Sequence, residues 1–160
     1  MDPFVIFLVQ NLLNFTAYGL FAWWWAWPWL SRRPRATALS YLLAPHALRA
    51  IGATILVPTV LSGAVPREFA EPVAYGDLLT TVLAIVALIA LRYGAGAAIG
   101  LAWIANVVGI IDLANALVQG IRFDAGHLPL GAFWFVVTVL VPILWITHVM
   151  SFIVLLRRPR

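Results

Sequence analysis

The chain has 160 residues, of which 64% are hydrophobic and 10% charged, and its mean hydropathy is +0.99. This composition excludes a soluble domain, which needs far more charge to cover its surface. The formal net charge is +4 and the pI about 10.4, with ten arginines and no lysine. Because these arginines form no basic face interleaved with aromatics, the sequence indicates membrane topology and excludes nucleic acid as a partner. The absence of cysteine excludes disulfides and thiolate metal sites.

A bilayer core needs about 20 apolar residues of helix, and five stretches of the chain meet that length. We therefore predict an all-α, polytopic integral membrane protein, a bundle of five transmembrane helices in one domain over residues 1–160. The predicted spans cover about 4–30, 37–62, 75–91, 95–119 and 130–156.

The first span carries the polar residues Gln10, Asn14 and Tyr18 at four-residue spacing. It ends in a tryptophan-rich run from Trp23 to Trp29. Such a run is typical of a belt that anchors a helix at headgroup depth, and a ligand-binding aromatic box is the alternative interpretation.

The second span places Arg49 near its middle, with His46 one helical turn away. An ionisable residue at that depth is costly and is a functional-site hypothesis by default. The fourth span offers Asp112 as the natural ion-pair partner, and Asp77 in the third span is either a second partner or a residue at the helix start.

The fourth span also carries Asn106 and Asn115, and positions 109, 112, 115 and 119 share one helical face. Together with Asn14, these residues predict a polar cavity that opens to the outside around Arg49. The alternative is that the amides only hydrogen-bond neighbouring helices. The glycines Gly94, Gly96 and Gly100 predict a surface that a neighbouring helix approaches closely.

His148, in the fifth span, falls at a depth similar to that of His46. Two histidines from different helices suggest axial ligands of a b-type haem, with structural histidines as the alternative interpretation. No other cofactor or metal site is predicted. The sequence contains no catalytic motif, so we do not expect an enzyme.

The arginines orient the bundle. Seven of them follow the first, third and fifth spans (Arg32, Arg33, Arg35, Arg92, Arg157, Arg158 and Arg160), whereas only Arg67 and Arg122 fall on the other side. The positive-inside rule then places the N-terminus outside and the C-terminus in the cytoplasm, in a bacterial-type cytoplasmic (inner) membrane.

The stretch from Val141 to Thr147 resembles part of the fifth helix of the tryptophan-rich sensory (translocator) proteins, which are membrane receptors of porphyrins and sterols. The Lys-Pro and Trp-x-Pro-Pro pattern of that family is missing after the first span. The resemblance therefore assigns no binding residue here.

Three functions remain open at this stage. The first is the binding of a small polar-headed or anionic ligand by the predicted cavity, in a transporter-like or sensor-like protein. The second is a redox component that carries haem on His46 and His148. The third is an accessory subunit of a larger membrane complex. The expected partners are membrane lipids, a small-molecule ligand, and further copies of the chain or other membrane subunits.

Overall fold

The computed structural model describes residues 1–157, and every regular element in that part of the chain is a helix. Five helices are long and apolar enough to cross a membrane: α1 (Pro3–Ser31), α2 (Arg35–Leu56), α3 (Arg67–Arg92), α4 (Ala98–Arg122) and α5 (Phe133–Leu156). The predicted all-α class and the five long helices are therefore confirmed. Arg158, Pro159 and Arg160, which belong to the basic run after the fifth span, lie outside the described residues.

Two predicted boundaries differ from the structure by six residues or more, and the others by three or fewer. α2 ends at Leu56, and Val57 is extended, because a residue before a proline such as Pro58 is disfavoured in the helical region. α3 begins at Arg67, eight residues before the predicted span. Hydropathy detects only the apolar part of a helix, and the first turns of α3 contain the polar residues Arg67, Glu68 and Glu71. Asp77 is therefore well inside α3, about 15 Å along the axis from its first residue, and the alternative that it lies at the helix start is wrong.

Three of the five helices depart from α geometry. α2 changes at Ala44 into a 3₁₀-helix that continues for 13 residues to Leu56, with Pro45 in its first turn. α1 contains a π-helical segment at Ala22–Ala26, and α5 contains one at Val136–Leu140. Runs of 3₁₀-helix longer than a few residues are uncommon, and π segments occur frequently at functional sites.

Apolar side chains form two separate cores, one toward each end of the bundle. One core includes Leu30, Leu39, Leu91, Ala98 and Leu155. These residues flank the end that carries Arg32, Arg33, Arg35, Arg92 and Arg157, which we call the basic end. The second core, at the opposite end, includes Ile55, Phe69, Ala125, Leu130 and Phe133. The helices thus alternate in direction, and the layer between the two cores contains the buried polar residues.

The start of α1 is tied to the loop between α4 and α5 by an exposed histidine. His127 Nδ1 lies 2.7 Å from Asp124 Oδ2, and its Nε2 lies 3.0 Å from Asp2 Oδ1. The ring also stacks on Phe4, with centroids 5.6 Å apart. Hydrogen bonding to Asp124, and then to Asp2, raises the pKa of His127 above its ordinary value.

Candidate functional site

The 3₁₀ segment of α2 aligns its buried residues in a single row. Its four buried residues are His46, Arg49, Gly52 and Ile55, each three positions after the previous one. Side chains three apart eclipse one another in a 3₁₀-helix, whereas in an α-helix such a row would drift around the axis. The period of three therefore places a histidine, an arginine and a glycine on one straight face. The period of three is present in the sequence, but a prediction that assumes α geometry throughout the span does not use it.

Arg49 is the centre of the polar layer, and its side chain is only 1% exposed. Its Nε donates to Asp77 Oδ1 at 2.6 Å, and its Nη2 donates to Asp112 Oδ2. Its Nη1 donates to the backbone carbonyl of Gly109 at 3.1 Å. The structure thus contains the expected Arg49–Asp112 contact, and Asp77 is the second partner that the sequence allowed.

Two glycines make room for the two carboxylates. A Cβ at Gly52 would overlap the carboxylate of Asp77, and a Cβ at Gly76 would overlap that of Asp112. Each glycine therefore allows a charged side chain to lie directly against a neighbouring backbone. The sequence prediction placed the close approach elsewhere and was wrong, because an added Cβ at Gly94, Gly96 or Gly100 would meet no atom within 4 Å.

The charge of this cluster disfavours the binding of an anion. One guanidinium faces two carboxylates, so the three ionised groups sum to −1, and each of the three guanidinium nitrogens donates to a protein acceptor. An anionic ligand at Arg49 would have to displace a carboxylate and add a further negative charge in a region of low dielectric. The geometry therefore favours a scaffold role for Arg49 over direct binding of an anion.

The partners of His148 assign its tautomer. Its Nδ1 lies 2.7 Å from Asn106 Oδ1, an oxygen that can only accept, so Nδ1 carries the proton. The amide of Asn106 donates to the backbone carbonyl of His148 at 3.3 Å, which fixes the orientation of that amide. His148 Nε2 then faces Arg49 Nη1 at 3.4 Å as an acceptor. A neutral imidazole beside a guanidinium avoids a second buried positive charge.

The ring of His46 contacts that of His148, with centroids 3.8 Å apart and ring planes tilted by 36°. A metal–imidazole bond is about 2 Å long, so axial nitrogens on opposite faces of a haem are about 4 Å apart, with the rings extending away from each other. Ring centroids only 3.8 Å apart leave no space for a porphyrin between the two rings, so the residues do not fit the haem hypothesis. Among residues 1–157, no group of three His, Cys, Asp or Glu side chains is arranged to hold a metal ion.

His46 has a different partner on its other side. The hydroxyl of Thr147 donates to the carbonyl of Ile143 at 2.9 Å, so its oxygen is free to accept from His46 Nε2, which lies 3.1 Å away. Successive contacts thus lead from Arg49 to His148, from His148 to His46, and from His46 to the hydroxyl of Thr147.

The remaining predicted site residues do not reach Arg49. Asn14 Nδ2 donates to the carbonyl of Thr138 at 2.7 Å, and Gln10 accepts from Trp134 Nε1 at 2.6 Å. The polar stripe of α1 therefore attaches α1 to α5, which is the hydrogen-bonding alternative. Asn115 is exposed, although it lies only one turn beyond Asp112.

A groove with a volume of about 920 Å³ lies between α1, α2 and α5. Seven of its lining residues lie on α1 between Tyr18 and Leu30, at the three- and four-residue spacing of one helical face. The lining is almost wholly apolar and aromatic, with Thr147 as a polar group. We call it the apolar groove; its lining residues are Tyr18, Phe21, Ala22, Trp25, Ala26, Trp29, Leu30, Tyr41, Leu42, Ile143, Ile146, Thr147 and Met150.

A family model described as "Domain of unknown function (DUF8737)" matches residues 6–156, so the chain belongs to this family. No curated protein and no solved structure matches the chain.

Proposed function

We propose that this member of the DUF8737 family is a multi-pass protein of a bacterial-type cytoplasmic membrane, with its N-terminus outside and its C-terminus inside. Five helices of suitable length and hydropathy support the multi-pass arrangement. The distribution of arginine supports the orientation, because seven of the ten arginines follow the first, third and fifth spans.

We further propose that the protein binds a lipophilic, polar-headed ligand in the apolar groove, as a sensor-like or transporter-like component. The observation that carries this proposal is the groove itself, whose volume of about 920 Å³ lies in the range typical of small-molecule sites, which are mostly apolar with a few polar groups. The edge-on contact of Trp29 with Tyr41, with centroids 4.8 Å apart, joins α1 to α2 along the groove.

The irregular helices support the same location. The π segment Ala22–Ala26 contributes Ala22, Trp25 and Ala26 to the lining, and the 3₁₀ segment begins two residues after Leu42. Both segments depart from the regular hydrogen bonding of an α-helix, and such departures are frequent at functional sites.

The Arg49 cluster supports the proposal as a scaffold. Arg49 joins α2 to α3 and α4 through Asp77, Asp112 and the carbonyl of Gly109. These three helices are thereby fixed to one another, whereas α1 packs mainly against α5 and has no buried residue between Pro3 and Phe21. A ligand in the groove is therefore bounded by α1 on one side and, on the other, by a bundle in which Arg49 joins three helices.

The proposal is tested by filling the groove. Ala26 lines it, so Ala26→Phe places a ring where the ligand chain would lie. Ala17→Phe is the matched control, because Ala17 is exposed on the same helix and does not line the groove. The probe is a phosphatidylcholine that carries one parinaroyl chain, whose conjugated tetraene accepts energy from tryptophans such as Trp25 and Trp29.

We expect Ala26→Phe to weaken probe binding about tenfold, equivalent to excluding about two methylene groups from the groove, while Ala17→Phe leaves binding unchanged. If the two variants bind the probe equally, the groove is not the binding site. If the wild-type protein elutes only with another membrane subunit and binds no probe, the accessory-subunit hypothesis replaces this proposal.

A further inference from the structure

A second, smaller pocket lies on α1 beside the apolar groove, at the basic end. Its volume is about 450 Å³, and it shares Trp25 and Trp29 with the groove. We call it the basic pocket; its lining residues are Trp24, Trp25, Pro28, Trp29, Arg32 and Arg33. A single molecule that passes Trp25 and Trp29 can therefore occupy both sites.

The basic pocket is positively charged and has no internal counter-charge. The acidic residues of the chain are Asp2, Glu68, Glu71, Asp77, Asp112 and Asp124, none of which lines it. In the part of the chain that the structure describes, the ion pairs involve only Arg49 and His127. Arg32 and Arg33 are both exposed, so their guanidinium groups remain available to an anion.

The aromatic residues of the basic pocket hold one of these arginines in position. The guanidinium carbon of Arg33 lies 4.5 Å from the centroid of the Trp29 ring, a cation–π arrangement. Trp29 itself is packed edge-on against Tyr41 of α2. A guanidinium that is already positioned loses less side-chain entropy when it binds a phosphate or carboxylate.

The dimensions of the groove suit a hydrocarbon chain. Its lining on α1 runs from Tyr18 to Leu30, which is about 18 Å along a helix axis. This stripe leads from the middle of the bundle to the basic end, where Arg32 and Arg33 begin. A molecule with its chain in the groove therefore presents its headgroup to the two arginines.

We infer that the ligand of the apolar groove is an anionic phospholipid, with one chain in the groove and its phosphate on Arg32 and Arg33. This inference rests on the proposed function and adds the chemical class of the headgroup. A phosphodiester offers the paired oxygens that a guanidinium fork matches, and an anionic headgroup has no choline cation to compete with the arginines for that phosphate. Basic clusters at the cytoplasmic surface select anionic lipids because each arginine contributes to the attraction.

The test compares two probes that have the same parinaroyl chain and differ only in the headgroup, phosphatidylglycerol and phosphatidylcholine. Each is titrated into the purified protein in a neutral detergent, with tryptophan-sensitised emission as the readout. We expect phosphatidylglycerol to bind about thirtyfold more tightly, the sum of two arginine contributions. The preference should decrease as salt is added, since the arginines are exposed.

Three variants locate the headgroup. The double variant Arg32→Gln with Arg33→Gln should lose the preference for phosphatidylglycerol and bind the two probes with equal affinity. The double variant with lysine at both positions should keep most of the preference, because the charge remains. Arg92→Gln is the control, since Arg92 is exposed at the same end and lies outside the pocket.

The outcomes separate this inference from the proposed function. Equal binding of the two probes by wild type, with Ala26→Phe weakening both, would keep the groove as a chain site and overturn the anionic headgroup. A preference that persists in the double glutamine variant would overturn the assignment to Arg32 and Arg33. If Ala26→Phe weakens the binding of neither probe, the proposal that the groove is the binding site would be overturned instead.

Discussion

Replacing Arg49 by methionine removes the only positive charge between two buried carboxylates. The side chain of Arg49 is 1% exposed, and those of Asp77 and Asp112 are 12% and 10% exposed. The small stabilisation energies that are typical of surface ion pairs therefore do not apply to this cluster. Loss of one partner from a buried pair costs about 3 to 5 kcal/mol, because it leaves an uncompensated charge. We expect Arg49→Met to lower the free energy of unfolding by that amount.

The presence of two carboxylates makes the rescue experiment specific. Adding Asp112→Asn to Arg49→Met removes one uncompensated charge and should recover only part of the loss. Adding Asp77→Asn as well leaves no charge in the cluster, and the remaining deficit should be about 1 to 2 kcal/mol for the lost hydrogen bonds. Asparagine is used because it has the shape of aspartate, so it keeps the close packing of these side chains against Gly52 and Gly76 while removing the charge.

The assay is loss of helicity during titration of the purified protein with sodium dodecyl sulfate, followed by circular dichroism. Arg92→Met is the control, because Arg92 is exposed at the end of α3 and should leave the midpoint unchanged. An Arg49→Met midpoint equal to that of wild type would refute the reasoning. Equal recovery by the double and triple variants would show that Asp77 adds no unbalanced charge.

Two further predictions follow from local geometry. Gly76→Ala should destabilise the protein by about 1 to 3 kcal/mol, because the added Cβ overlaps the carboxylate of Asp112. Gly100→Ala is the control and should be neutral or slightly stabilising, because an added Cβ there meets no atom within 4 Å. A titration with the same detergent that ranks the two variants in the reverse order would contradict the close packing at Gly76. The raised pKa of His127 means that its contacts stabilise the fold fully below pH 6.5 and that this contribution is lost as the pH rises through the raised value. Histidine NMR titration should show this pKa falling on Asp124→Asn, and an unchanged pKa would exclude Asp124 as its main cause.

The sequence alone predicted the helical class, the five long helices and the residue at the centre of the polar layer. Hydropathy predicts these features because each span must satisfy its backbone internally and expose apolar side chains. The contact between Arg49 and Asp112 also followed from the sequence, since a buried charge requires a partner and few were available. The role of these residues in ligand binding stays a prediction.

Only the tertiary structure decided how the polar residues are grouped. The 3₁₀ geometry of α2 aligns His46, Arg49 and Gly52 at a period of three, which a helix of 3.6 residues per turn would not do. The contact between the His46 and His148 rings and the pairing of Asn14 with α5 depend on how the helices pack. In a membrane that packing depends on steric fit and hydrogen bonds between helices, because burial of apolar surface supplies little preference for one neighbour over another. Spacing along one chain therefore determines which face of a helix is polar, and the fit between helices determines what that face contacts.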